Sequence, residues 1–237
     1  MRNFLRKQDK KRFSPGTVAA MTYLNLKDPA TIKVMRGVMM DFGFKAQRLA
    51  HKAAKAIGLI QDSRAHPPAT VGAPTIKTQI IHFLNRPMPG NLPKRTSRAL
   101  LDIEDDKVIP VIRNPRKTTE ESDAVFYFPG CGSERLFSQV GLATQAMLYE
   151  VGATTVLPPG YLCCGYPQTA SGDEDKGQKI TTDNRVLFHR VANTLNYLDI
   201  KTVIVSCGTC MDQLQKYQFE TMFPGCRLLD INEYLMV

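Results

Sequence analysis

Short apolar runs of strand type alternate with longer segments of helical periodicity in the second half of the chain. Strands are predicted at residues 123–128, 154–159, 201–206 and 226–231. Helices are predicted between them, from Ser133 to Val151, along the apolar positions from Ile180 to Leu198, and from Met211 to Met222. This alternation predicts an α/β fold in which a parallel sheet carries flanking helices on its faces.

The first half has a different pattern, a long amphipathic helix followed by proline-rich chain. Asp28 is a helix-capping residue, and apolar residues then recur in steps of three and four from Ile32 to Ile60. Phe42 and Leu49 belong to this apolar face, while lysines and arginines occupy the other faces. We expect the apolar face to pack in the core or to dock on a partner subunit or, as the alternative, to lie on an anionic membrane surface.

Charge and cysteine usage divide the chain in the same way. The net charge is +9, with the positive charge concentrated in residues 1–120, whereas residues 121–237 are acidic. All six cysteines follow residue 130. Three regions are therefore expected: a basic amphipathic helical extension at 1–60, a proline-rich linker at 61–119, and a cysteine-rich α/β domain at 120–237.

The redox compartment decides how the cysteines are interpreted. The basic N-terminal sequence is not followed by the apolar stretch of a secretory signal, and no apolar run reaches the ~20 residues of a membrane span. We therefore expect a cytoplasmic protein, with the inner face of the membrane as a second location for the basic helix. Cytosolic thiols stay reduced, which favours metal ligands or redox thiols over disulfides. No nucleic-acid-binding motif accompanies the basic half, so no nucleic-acid partner is expected.

Five cysteines follow three different predicted strands. They are Cys131 after the first strand, Cys163 and Cys164 after the second, and Cys207 and Cys210 after the third. Because the carboxyl ends of parallel strands form one edge of a sheet, we expect these five thiols to converge there. Each loop also contains glycine, which lets the backbone approach a bulky inorganic ligand.

Three chemistries are compatible with this set. A zinc site needs four ligands, usually as two Cys-x-x-Cys-like pairs, and a thioredoxin-like dithiol needs only Cys207 and Cys210. An iron–sulfur cluster takes several thiolates from scattered loops. The adjacent cysteines Cys163 and Cys164 favour a ligand with more than one metal ion, because neighbours in sequence can bind different irons.

The cysteine pattern resembles one copy of the CCG cysteine-rich domain that occurs in heterodisulfide reductases and in glycolate oxidase iron–sulfur subunits. The matching motifs are "PGCG", "LCCG" and "SCGTC", and the resemblance covers most of 94–237. It implies that Cys131, Cys163, Cys164, Cys207 and Cys210 hold a non-cubane [4Fe–4S] cluster, with zinc as the alternative. The stretch is also similar to the C-terminal part of large bacterial proteins that fuse an FAD-linked oxidase, a ferredoxin-like segment and CCG domains.

The resemblance also implies a function. We expect an iron–sulfur electron-transfer component of a flavin-linked 2-hydroxy-acid oxidoreductase of lactate or glycolate type, with FAD on a partner or a missing region. Family members carry a second CCG motif downstream, so we expect a fragment or one piece of a split enzyme. The expected partners are a flavin-bearing dehydrogenase and ferredoxin-type subunits, without which the chain is expected to be inactive. The alternative is a zinc-binding structural domain of such a complex.

The remaining candidates have simpler interpretations. Cys226 lies outside the five-cysteine pattern and is expected to be a small core residue. His189 is expected on the surface or in packing, and the acidic stretch at 171–179 is expected to be a helix start rather than a Mg²⁺ site. The polar residues at 183–185 could contact a substrate or partner, although nothing in their spacing requires it.

Overall fold

The computed structural model describes residues 15–60 and 84–236. The chain divides into a smaller compact unit, Lys33–Lys94, and a larger one that comprises residues up to Ile32 and from Arg95 onward. The described α-helices are α1 Pro15–Asn25, α2 Pro29–Arg36, α3 Phe44–Ala56, α4 Ser97–Leu101, α5 Ser138–Glu150, α6 Tyr166–Ser171, α7 Glu174–Thr194, α8 Gly208–Leu214 and α9 Ile231–Leu235. The strands are β1 Val111–Ile112, β2 Ala124–Phe128, β3 Thr154–Val156, β4 Thr202–Val205 and β5 Arg227–Asp230.

The larger unit is built on a single five-stranded sheet with the order β1-β3-β2-β4-β5. The four strands predicted from the sequence are all present, and β3, β2, β4 and β5 run parallel. This confirms the predicted α/β class with flanking helices. The short strand β1 was not predicted. It pairs antiparallel with β3 at the sheet edge, and its two residues, close to Pro110 and Pro115, are too few to give an alternating pattern.

Both faces of the central strands are buried, which explains why β2 and β4 have continuous apolar sequences. On one face, Phe126 and Val203 pack against Phe188 of α7. On the other face, Tyr127 and Ile204 join a separate apolar cluster that includes residues of α5 and α9. The cysteine-bearing loops therefore leave a sheet whose strands are fixed from both sides.

The predicted helices are present with different ends. The first is divided at Phe137 into a π-helical turn, Gly132–Leu136, and α5. The third ends earlier than predicted, at Leu214, and the chain continues as short 3₁₀ turns at 215–217 and 219–221. The break between these turns lies at Gln218, whose φ of 54° is left-handed and incompatible with a continuous right-handed helix.

The long helix of the smaller unit exposes part of its apolar face instead of packing it in the core. Phe42 and Leu49 are 74% and 71% exposed, whereas Arg36 and Gln47 are buried. Arg36 donates to the carbonyl of Pro93, and Gln47 donates to the carbonyl of Arg86 at 2.8 Å, so the returning chain covers this polar side. A π-helical segment at Gly37–Gly43 changes the helical register between α2 and α3, which a regular periodicity cannot anticipate.

Part of the predicted linker, residues 61–83, lies outside the described residues. In the ranges that are described, no helix combines the length and the apolar character needed to cross a bilayer.

Candidate metal centre

The structure brings the five predicted cysteines together at the carboxyl edge of the sheet. The Sγ atoms of Cys163 and Cys131 are 3.6 Å apart, and those of Cys210 and Cys164 are 3.5 Å apart. Cys207, in the loop after β4, pairs with Thr209 at 3.1 Å between Sγ and Oγ1, and it lies close enough to Cys210 for that thiol to lower its pKa. The two adjacent cysteines therefore point to different neighbours, so the doublet connects thiols from three separate loops.

Four of the five thiols are buried, and Cys207 is half-buried. Thiol hydrogen bonds lower the pKa of Cys164 to about 5, first from Cys163 and then from Cys210. A hydrogen bond from Cys210 likewise lowers the pKa of Cys207 to about 5. Cys131 has a raised pKa because of its hydrogen bond with Cys163 and its burial. The group thus shares a few protons among close sulfur atoms, and these protons leave when a metal binds.

Gly130 leaves room for a sulfur atom at this site. Its φ of 69° is left-handed, and a Cβ built there would lie 2.6 Å from the Sγ of Cys210. Any other residue at position 130 would displace the thiol or strain the backbone. Five soft thiol donors are the ligand type that iron–sulfur clusters and zinc take, so the donor chemistry of these residues fits the expected group.

A buried hydrogen-bond network holds the cysteine doublet. Asn184 of α7 donates from Nδ2 to the carbonyl of Cys163 and to the hydroxyl oxygen of Tyr217, both at 2.8 Å. The Tyr217 hydroxyl in turn donates to the carbonyl of Cys164 at 3.0 Å. Asn184 therefore contacts the cysteine loop rather than facing solvent. Asn184 lies four residues after Ile180, among the buried positions of α7. A polar residue at such a position indicates a buried hydrogen-bond partner.

The loop that carries the cysteine doublet also packs closely against the start of α7. Gly165, directly after the doublet, has a φ of 87°, and a Cβ there would lie 3.0 Å from the carbonyl oxygen of Gly177. A Cβ at Gly177 would lie 2.3 Å from the Oγ1 of Thr169. These two glycines let α6 and α7 approach closely, which fixes the direction in which the doublet leaves the sheet.

Buried charges lie beside Cys131 that the sequence reasoning did not identify. Arg98 forms an ion pair with Glu134, and both side chains are almost completely buried. Arg135 donates to the carbonyls of Tyr23 and Leu24, whereas its Nε and Nη2 have no hydrogen-bond partner among the described residues. Burial raises the pKa of Glu134, and the two arginines oppose that rise.

The positive charge of Arg135 acts on the cysteines, since it favours the thiolate of Cys131 and opposes the rise of its pKa. Two buried guanidinium groups and one carboxyl group leave a net positive environment even when the carboxyl is ionised. An anionic group that is held by thiolates is stabilised by such a neighbour.

The other candidates lie elsewhere. Cys226 is half-buried and packs against the core rather than joining the five thiols. His189 lines a different cavity, next to Phe223. Asp173, in the acidic stretch, caps α7 by accepting a hydrogen bond from the backbone of Lys176. No group of three His, Cys, Asp or Glu side chains suited to a single metal ion occurs in residues 15–60 and 84–236.

Comparison with known proteins finds matches for the cysteine region. Residues 125–215 match the family model described as CCG: Cysteine-rich domain. An uncharacterized iron-sulfur protein of Methanococcus maripaludis is 23% identical over 146 residues, 62% of this chain and 26% of the relative. The "Probable glycolate oxidase iron-sulfur subunit" of Bacillus subtilis is 30% identical over 93 residues, 39% of this chain and 19% of the relative.

A third relative is lactate utilization protein A of an Exiguobacterium species, 28% identical over 93 residues, 39% of this chain and 35% of the relative. The matched part of the chain therefore spans between 19% and 35% of the length of these three curated relatives. No solved structure matches significantly.

Proposed function

Because residues 125–215 form a CCG cysteine-rich domain, we propose that this chain is the iron–sulfur electron-transfer component of a flavin-linked 2-hydroxy-acid oxidoreductase. The observation that carries the proposal is the convergence of five thiols from three loops at one sheet edge. The names of the relatives support the redox class and, for two of them, the link to glycolate or lactate.

The proposed ligands are Cys131, Cys163, Cys164, Cys207 and Cys210, and the proposed group is a non-cubane [4Fe–4S] cluster. The two cysteines of the doublet have different neighbours, since Cys163 approaches Cys131 while Cys164 approaches Cys210. This arrangement supports a bound group with several metal ions. When bound, such a cluster supplies one-electron transfer. The chain positions the thiolates through Asn184, excludes water by burial, and offsets negative charge with Arg135.

The hydride chemistry of a hydroxy acid requires a flavin or nicotinamide cofactor. We therefore place the flavin on a partner dehydrogenase, with ferredoxin-type subunits passing electrons to this chain. The exposed apolar residues Phe42 and Leu49 of the smaller unit, with basic residues nearby, support a role for α3 and the preceding turn in subunit docking. Binding of a peptide of residues 29–60 to anionic vesicles but not to flavin subunits would favour the membrane alternative.

An anaerobic redox titration of the reconstituted chain tests the proposal. We expect reversible bleaching of the visible absorbance with reductant, and a paramagnetic signal in one redox state. Cys164→Ser removes a ligand and should abolish or convert this signal, whereas Cys226→Ser is the matched control and should leave it unchanged. Equal damage from the two substitutions would refute the ligand set, and a colourless protein that binds zinc instead would refute electron transfer.

A further inference from the structure

A cavity of about 230 Å³ opens beside the cysteine doublet, within the larger unit. Cys163 contributes to its wall, and the preceding residue, Leu162, supplies apolar surface. Lys27, Lys176 and Lys179 also line the cavity. The cavity therefore combines a predicted cluster ligand with three cationic side chains, an arrangement that the hydroxy-acid electron-transfer role by itself does not explain.

The lining of the cavity has a net positive charge, with three lysines against one carboxylate. None of the three forms an ion pair among the described residues. The acidic residues that begin α7 do not line the cavity, and Asp183 is its one carboxylate within the described chain. Lys176 also lies in the first turn of α7, where the helix dipole disfavours a cation. This position is therefore unfavourable for the isolated helix, and an anion in the cavity would offset that cost.

We propose that this cavity binds a small oxyanion, carboxylate or phosphate, next to Cys163. The volume of about 230 Å³ has room for a compact anion of a few heavy atoms. Lys176 and Lys179 lie three residues apart on the same face of α7 and supply ammonium donors, and Lys27 supplies a third. The binding stands independently, whereas its proximity to a cluster rests on the proposed function.

Substitutions of the charged residues that line the cavity should change the affinity for the anion in opposite directions. Lys179→Gln removes a cationic lining group and should weaken oxyanion binding by about three- to tenfold, the range of an exposed to partly buried ionic contact. Lys179→Arg keeps the charge and should retain most of the affinity. Asp183→Asn removes the repelling carboxylate and should tighten binding. Lys216→Gln, an exposed lysine outside the cavity, is the charge-matched control.

Equilibrium dialysis with radiolabelled oxalate and with inorganic phosphate, at constant ionic strength and under anaerobic reducing conditions, measures this binding. We expect saturable binding of about one anion per chain, and the anion with the higher affinity identifies the chemistry. Non-saturable binding, equal loss in Lys179→Gln and Lys216→Gln, or weaker binding in Asp183→Asn would overturn the proposal. Binding of an acidic protein partner through these lysines, without binding of either small anion, would also overturn it.

Metal analysis of the same samples separates this proposal from the electron-transfer role. Oxalate binding to a chain that takes up no iron would refute the cluster and leave the oxyanion site standing. Iron uptake with no binding of either anion would refute the oxyanion site and leave the cluster standing. Both the metal-free and the reconstituted protein are therefore measured.

Discussion

Replacing Gly130 by alanine tests whether the backbone is shaped around the thiol of Cys210. The left-handed φ of 69° costs alanine about 1–2 kcal/mol. The new Cβ would also lie 2.6 Å from the Sγ of Cys210, an overpacked contact whose relief costs a further ~1–3 kcal/mol. We therefore expect Gly130→Ala to lower the free energy of unfolding by about 2–5 kcal/mol and to reduce iron uptake, because Cys210 must move.

Two other glycines serve as controls that separate the backbone cost from the cost of the contact with Cys210. Gly225 has a φ of 74° but nothing closer than 3.9 Å to its Cβ position, so Gly225→Ala should show only the backbone cost of about 1–2 kcal/mol. Gly132 has neither feature, and Gly132→Ala should be nearly neutral. Urea unfolding followed by far-UV circular dichroism measures stability in this tryptophan-free chain. Gly130→Ala with the stability and iron content of Gly132→Ala would refute the reasoning.

Three further predictions concern the thiols and their support. Asn184→Ala leaves the buried carbonyl of Cys163 and the Tyr217 hydroxyl without a donor, so it should cost about 2–3 kcal/mol in urea unfolding, whereas Asn193→Ala, exposed on the same helix, should cost little. The lowered pKa of Cys207, about 5 against an ordinary 9.0, keeps its thiolate populated as the pH falls. In metal-free protein its alkylation rate should therefore change little from pH 8 to pH 6.5, while an ordinary thiol would slow by more than about tenfold; such slowing would contradict the assignment. The flavin-free chain should not oxidise lactate or glycolate with a dye acceptor, and measurable turnover would be the contrary result.

The positions of the five cysteines were predictable from local patterns. Strand-type runs end just before Cys131 and before Cys207, and the parallel arrangement that follows from alternating strands and helices places these ends at one edge. The structure agrees with that expectation, since Cys131 meets Cys163 and Cys210 meets Cys164. Whether all five are ligands remains a prediction, because convergence of thiols does not itself identify the bound group.

The supporting residues were not predictable in the same way. Arg98 and Glu134 pair across 36 residues, and Tyr217 reaches the carbonyl of Cys164 across 53 residues. Such contacts depend on tertiary packing, and an arginine in a region without strong periodicity gives no local sign that it will be buried. The burial of Gln47 was also missed, because the returning chain covers this side chain through hydrogen bonds rather than through apolar packing.

Metal and acid-labile sulfide analysis of the chain, expressed and purified without oxygen, tests the central claim most directly. Binding of a [4Fe–4S] cluster by Cys131, Cys163, Cys164, Cys207 and Cys210 predicts about four irons and about four sulfides per chain, with little zinc. Loss of both iron and sulfide in Cys164→Ser, with retention in Cys226→Ser, would complete that result. One zinc per chain without sulfide would contradict it, since the same thiols would then form a structural site.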